Sequence, residues 1–315
     1  MPAPGKAHRE GISLLQLVEL FPDEAAARKW FETARWGDRR TCPRCGSEKT
    51  KPVPRAKPMP YHCGGCRQYF SVKTGTVMQS SNLPLRKWVI GIYLMSTSLK
   101  GVSSMKLHRD LGITQKTAWM MAQKIREGWV RGSYGPMSGT VEVDETYIGG
   151  KRKNMPKAKR SQMQGRGAVG KEAVIGAKQR GGEVRAAHIG DTTRETVRGF
   201  VEGAASHGST LYSDEDAAIV GIPDLLNGYS HEAVNHSAGE YVRGAAHTNG
   251  AESFWSMLKR GYQGTYHHWS PKHLQRYVTE FAGRHNVRDL DTLMQMAAVA
   301  RGMDGRLLPW RTLTA

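Results

Sequence analysis

No apolar run in these 315 residues is long enough to cross a bilayer. The two that stand out, Val89 to Met95 and Ala297 to Val299, fall far short of the roughly 20 residues a membrane helix needs. Met1 to Glu10 lacks the apolar core of a signal peptide, so no membrane partner and a cytoplasmic location are expected. Cysteine is scarce too. There are four, in two close pairs, and in a reducing compartment such a cluster reads as metal ligands more readily than as disulfides. Acidic charge is short: 28 Asp and Glu face 46 Lys and Arg, a net +18. The commonest physical reason for such an excess is a polyanionic partner, because each neutralised phosphate releases counterions. Nucleic acid is the first expectation, a solvated basic surface the bland alternative. No internal repeat is present.

What is there suffices for two or three globular units, with 39% hydrophobic residues. An N-terminal helical segment, residues 1–35, carries two short helices, with Asp23 as N-cap of the second. Residues 36–78 turn to Gly, Pro, Arg and Cys, too poor in aliphatics to build a core without a metal staple. Helical spacing returns in 79–135. Past the break Gly132 to Gly139 the pattern becomes strands at Thr140 to Ile148, Ala173 to Lys178 and Glu183 to Ile189, a helix at Arg194 to Ala205, and strands at Thr210 to Ser213 and near Ser230 to Val234. Helices at Asn249 to Arg260 and Pro271 to Asn286 close it. This order predicts an α/β fold: an RNase H-like domain over 138–290, a mixed sheet with flanking helices, preceded by a zinc ribbon and a helix-turn-helix. Residues 291–315 read as a C-terminal tail, and Lys151 to Lys171 as a mobile basic loop.

Cys42, Cys45, Cys63 and Cys66 form C-x2-C-x17-C-x2-C, the spacing of a four-thiolate site for one structural Zn2+. Two disulfides or four free thiols are the alternatives. His62 is left out of the ligand set, and Arg44, Arg67 and Lys73 are offered to phosphates. Ser103 to Leu111, Gly112 and a second helix capped by Thr114 have helix-turn-helix lengths, with Gln115, Lys116 and Lys124 expected on the exposed face that meets DNA. A plain pair of packed helices has the same pattern.

Alternation in Val141-Glu142-Val143-Asp144 puts the valines on one face and both acids on the other. A carboxylate on a central strand carries a desolvation cost that a cation offsets. Asp214 follows the strand Leu211-Tyr212-Ser213, and Glu252 falls in the first turn of a helix 38 residues later. Two strand-borne aspartates and a helix-borne glutamate can hold two hard divalent ions, Mg2+ or Mn2+. Lys259, seven residues after Glu252, shares its helix face. Asp216, Glu145 and Asp191 are substitutes if the strand registers differ.

Val143-Asp144-Glu145-Thr146-Tyr147-Ile148-Gly149-Gly150, Gly165-Arg166-Gly167, Tyr212-Ser213-Asp214-Glu215, His247-Thr248-Asn249-Gly250-Ala251-Glu252-Ser253-Phe254-Trp255 and Gly264-Thr265-Tyr266-His267-His268, with the cysteine pairs, resemble bacterial insertion-sequence DDE transposases of the RNase H-like superfamily, in the branch with an N-terminal zinc ribbon. The resemblance implies an enzyme that binds element ends, cleaves them and joins the 3′ ends to target DNA. It matches Asp144, Asp214 and Glu252 to the acidic triad and Lys259 to the basic residue after it. It further implies double-stranded DNA as partner, a homo-oligomer on DNA and a nucleoid-associated location. Arg152, Lys153, Lys157, Lys159, Arg160, Lys259 and Arg260 are the expected backbone contacts. His267 and His268 receive no physical role. A non-catalytic DNA-binding regulator and a nuclease acting on RNA–DNA hybrids or junctions remain as alternatives.

Overall fold

Ser13 and Asp23 turn their side-chain oxygens onto free N–H groups of the helices that follow, α1 (Leu14–Leu20) and α2 (Glu24–Trp36). The computed structural model describes residues 10–129, 135–150, 152–161, 168–214, 228–234 and 247–314. They divide into two units, Met1–Gly132 with Val287–Ala315, and Ser133–Asn286. In the first unit a small antiparallel sheet of β1 (Thr50–Pro52), β2 (Tyr61–Cys63) and β3 (Tyr69–Phe70) follows α2. Then come α3 (Leu85–Thr97), α4 (Ser104–Leu111) and α5 (Gln115–Glu127). Gly112 ends α4 at φ +55, where a side chain would be strained, and Thr114 caps α5 through the amide of Thr117.

The second unit is built on a five-stranded sheet of β4 (Thr140–Ile148), β5 (Glu172–Gln179), β6 (Val184–Ile189), β7 (Thr210–Ser213) and β8 (Ser230–Ala233). Their order is β6-β5-β4-β7-β8: β4 is antiparallel to β5 and parallel to β7, so the sheet is mixed and β4 is central. A short helix, α6 (Lys157–Ser161), lies in the segment expected as a loop. One face of the sheet packs Val141, Val143, Ile175 and Leu211 on Val197 and Val201 of α7 (Arg194–Ala204). The other packs Ile148, Val174 and Val184 on α8 (Asn249–Gly261) and α9 (Pro271–Asn286). This is the expected α/β arrangement with helices on both faces.

Residues 287–315 return to the first unit, where α10 (Thr292–Gly302) and α11 (Trp310–Thr314) stand in place of the expected tail. Met296, Val299 and Met303 share a core with Trp88, Ile92, Leu107, Met121 and Ile125. The ends of α5 and α10 meet through two glycines so closely that a Cβ on Gly302 would lie 2.0 Å from the carbonyl oxygen of Gly128. The return corrects one prediction. Lys124 is not on an exposed face of α5 but only 8% exposed, in a cleft walled by Leu307–Trp310. Gln115 and Lys116 are exposed as expected. Among the described residues no helix is long and apolar enough to cross a membrane.

Candidate active site and metal centre

In the first unit both cysteine pairs sit on turns closed by backbone hydrogen bonds, Gly46 N–H to Cys42 O and Cys63 N–H to Gln68 O. The residue after each pair takes a left-handed conformation, Gly46 at φ +72 and Arg67 at +57. All four sulfurs lie within 4.8 Å of one another. Cys42 to Cys66 is 3.7 Å and Cys45 to Cys63 is 3.6 Å. These separations are close to the edge, about 3.8 Å, of a tetrahedron with the zinc–sulfur bond length, and far too long for a disulfide. The Cys66 amide points at the Cys63 sulfur and pulls that thiol below its ordinary value, while burial and the neighbouring sulfurs push Cys66 up, so crowded thiolates at this spot call for a cation. The donor set fits one structural Zn2+. Lys73, expected to face phosphate, is instead spent within the protein: its ammonium donates to the carbonyls of Ser81 and Leu83.

In the second unit the carboxylates meet at the C-terminal end of the parallel strand pair. Glu142 pairs with Tyr212 across β4 and β7; Asp144 lies two residues beyond Glu142 and Asp214 two beyond Tyr212, and the charge of Asp214 acts on Asp144. Asp144 is 8% exposed on the central strand. Its Oδ1 accepts the amide of Glu145 at 2.8 Å, and its Oδ2 accepts the indole N–H of Trp255 at 3.0 Å. Burial, followed by the negative charge of Asp214 and a smaller effect of Glu252, pushes Asp144 up to about 7 against the lowering effect of those two hydrogen bonds. Asp214 and Glu252 are therefore each within electrostatic reach of Asp144. Glu252 is exposed in the first turn of α8, and Lys259 and Arg260 are exposed in its last. Asp214 is half-buried beyond Ser213, whose hydroxyl donates to the Asp214 carbonyl and meets His231 Nε2 at 2.8 Å.

Three residues at this site carry roles that sequence patterning did not reveal. Trp255 orients Asp144 through its indole N–H. Gly176 pairs with Asp144 on β5, and a Cβ there would lie 2.6 Å from the Trp255 ring, so the glycine makes the floor on which the indole lies. Glu142, 2% exposed, accepts the Ala251 amide at 3.0 Å and the Arg180 guanidinium at 3.2 Å, with His247 Nδ1 at 3.5 Å. The signal for Glu142 was in the alternation, which put it on the same face as Asp144.

Of the substitute acids, Asp191 is committed to the start of α7, where it accepts from Thr196 and Thr193; those bonds lower its pKa. Glu145 Oε1 accepts from Tyr147. Asp216, Glu215 and Gly165-Arg166-Gly167 lie outside the described residues, as do the side chains of Arg152 and Lys159. Lys153, Lys157 and Arg160 are exposed. Gln115 donates to Ser104, and Lys116 lies 4.5 Å over the Trp310 ring. His267, at φ +61, and His268 are exposed after a π-helical turn, Tyr262–Tyr266.

Residues 136–286 match the family model of the ISXO2-like transposase domain, and residues 22–69 match that of the transposase zinc-ribbon domain. The chain is also similar to an uncharacterized protein in transposable element ISH50 of Halobacterium salinarum, at 28% identity over 77% of this chain and 84% of the relative.

Proposed function

The chain belongs to the ISXO2-like transposases that carry an N-terminal zinc ribbon, and from that premise we propose that it binds the ends of its insertion sequence, cleaves them and joins the 3′ ends to target DNA. The observation that carries this reading is the buried, uncompensated acid on the central strand. Asp144 is held near neutrality by burial and two acidic neighbours, and the hydrogen bonds it has do not offset that cost. A set of oxygen ligands under mutual repulsion is what hard divalent ions relieve. Asp144, Asp214 and Glu252 would hold Mg2+ or Mn2+. When bound, two such ions supply Lewis acidity for the attacking oxygen and charge neutralisation for the leaving one.

The chain's own residues set the rest. Trp255 and the Glu145 amide fix the orientation of the Asp144 carboxylate. Lys259, two helical turns from Glu252, places its ammonium where a scissile phosphate's charge needs a partner. In cleavage, water attacks the phosphorus and frees a 3′-hydroxyl; in joining, that hydroxyl attacks a target phosphodiester and expels a target 3′-oxygen. Lys153, Lys157, Arg160 and Arg260, with Gln115 and Lys116 at the start of α5, contact the DNA backbone and the element ends.

Labelled element ends incubated with Mg2+ test this. Native protein should yield cleaved and joined products, while Glu252→Gln should bind the ends and yield neither. Unchanged excision by Glu252→Gln would sink the assignment, and end binding without any cleavage by the native chain would favour the regulator.

A further inference from the structure

Lys124 is the anomaly of the first unit. Its stem is buried while its ammonium opens into a cleft, where, unlike Lys73 with its two carbonyls, it meets no acceptor among the described residues. Lys124 has no hydrogen-bond or ion-pair partner among the described residues, and burial alone lowers its pKa. It lines a cleft of about 400 Å3, shared with Thr76, Gln79, Ser80, Met120, Leu307 and Trp310, a size typical of small-molecule sites. Gln79 spends its amide oxygen on the Gly75 N–H, which leaves its NH2 as a donor. Ser80 is exposed in a left-handed conformation, φ +60. Trp310, 40% exposed, makes a T-shaped contact with Trp119 at 5.8 Å between ring centroids and has the Lys116 ammonium 4.5 Å over its ring.

An unpaired ammonium on the wall of the cleft, a tryptophan ring and amide and hydroxyl donors are complementary to a phosphate joined to a flat heteroaromatic base. We propose that this cleft between α5 and the returning C-terminal segment binds a single unpaired nucleotide, its phosphate on Lys124 and its base against Trp310. Stacking of an unpaired base on an aromatic side chain is sequence-tolerant and needs a strand that is not fully duplexed. The nucleotide is either free or part of a DNA strand. The strand-borne form rests on the DNA-handling function proposed above; the free form does not.

The test uses the full zinc-loaded chain and calorimetric titration with thymidine monophosphate, a short single-stranded oligothymidine, inorganic phosphate and a blunt duplex. Oligothymidine should bind, and Lys124→Met should weaken it about tenfold or more, the loss expected when a charge-assisted contact to phosphate goes; Lys124→Arg should restore most of the binding. Leu307→Trp alters an exposed wall residue, so it should fold normally while filling the cleft and abolishing the same binding. If thymidine monophosphate binds as tightly as the oligomer, with the same dependence on Lys124, the occupant is a free nucleotide. Equal affinity of both variants and the native chain for every probe overturns the site, and binding of inorganic phosphate alone overturns the nucleotide. Loss of duplex binding with nucleotide binding intact would instead count against the DNA-handling function.

Discussion

Replacing Asp144 by Asn should stabilise the metal-free protein above neutral pH. The folded state raises this carboxyl from 3.8 to about 7, which corresponds to about 4 kcal/mol of disfavoured ionisation. Between those values the folded chain keeps a proton that the unfolded chain has released, so stability falls as pH rises from about 4 to about 7 and the full cost is present above that. Asn keeps the shape and carries no charge, but it has one acceptor oxygen for the two donors, so with the Trp255 indole satisfied its NH2 faces the Glu145 amide, which offsets part of the gain. Allowing about half of the cost for this and for local relaxation, the gain at pH 8 is about 2 kcal/mol, or roughly 4–8 °C in the melting of a unit this size. At pH 4 the two proteins should melt together. Adding Mg2+ should raise the native melting temperature at pH 8 and leave the variant almost unmoved, because binding to the folded state alone stabilises it. The measurement is thermal unfolding at both pH values with and without Mg2+. A variant less stable than the native protein at pH 8, or one with the same response to Mg2+, would refute the reasoning.

Trp255→Phe keeps the packing and removes the indole donor, one of the two hydrogen bonds holding Asp144 down. The acid limb of the pH–rate profile for end cleavage should move to higher pH; an unmoved limb would mean the indole does not act on Asp144. Gly176→Ala puts a methyl 2.6 Å from the Trp255 ring, should cost about 1–3 kcal/mol as overpacking and should shift the limb in the same direction; a melting temperature equal to native would contradict the close approach. Cys42→Ser should lose stoichiometric zinc and lower the melting of the first unit, so zinc retained at full stability would contradict a structural role.

Wherever the signal was local, it was legible. The alternation over Thr140–Ile148, the run Thr210–Ser213 and the caps Asp23 and Thr114 each carry their own physical cause within a few residues, and so did the two cysteine turns. The misjudged features are long-range. Trp255 meets Asp144 across 111 positions, and nothing near either residue announces the pairing except the absence of a side chain at Gly176, on a third element. Leu293, Met296, Val299 and Met303 have helical spacing, but the core they join is built from residues more than 150 positions earlier, and the close approach of Gly302 to Gly128 that lets the helix dock is no local signal either. Lys124 was assigned to an exposed face because the residues that cover it come from the far end of the chain.

The site's two buried acids on β4 are separated by their partners rather than by their position. Glu142 and Asp144 share a face, two residues apart. Glu142 receives a guanidinium and the free amide at the N-terminus of α8, where the helix dipole favours a negative charge. It can come that close because Gly250 has no side chain; a Cβ there would lie 2.7 Å from its Oε2. Thr248, the formal N-cap, contributes no side-chain bond, so the buried glutamate does the capping and ties the start of α8 to the central strand. Glu252 is the residue after Ala251, and this tie therefore sets where the third acid stands relative to the first. Asp144 receives two neutral donors and two like charges instead. One acid is satisfied and holds the frame, while the other is left short of positive charge in a position where a divalent ion can supply it.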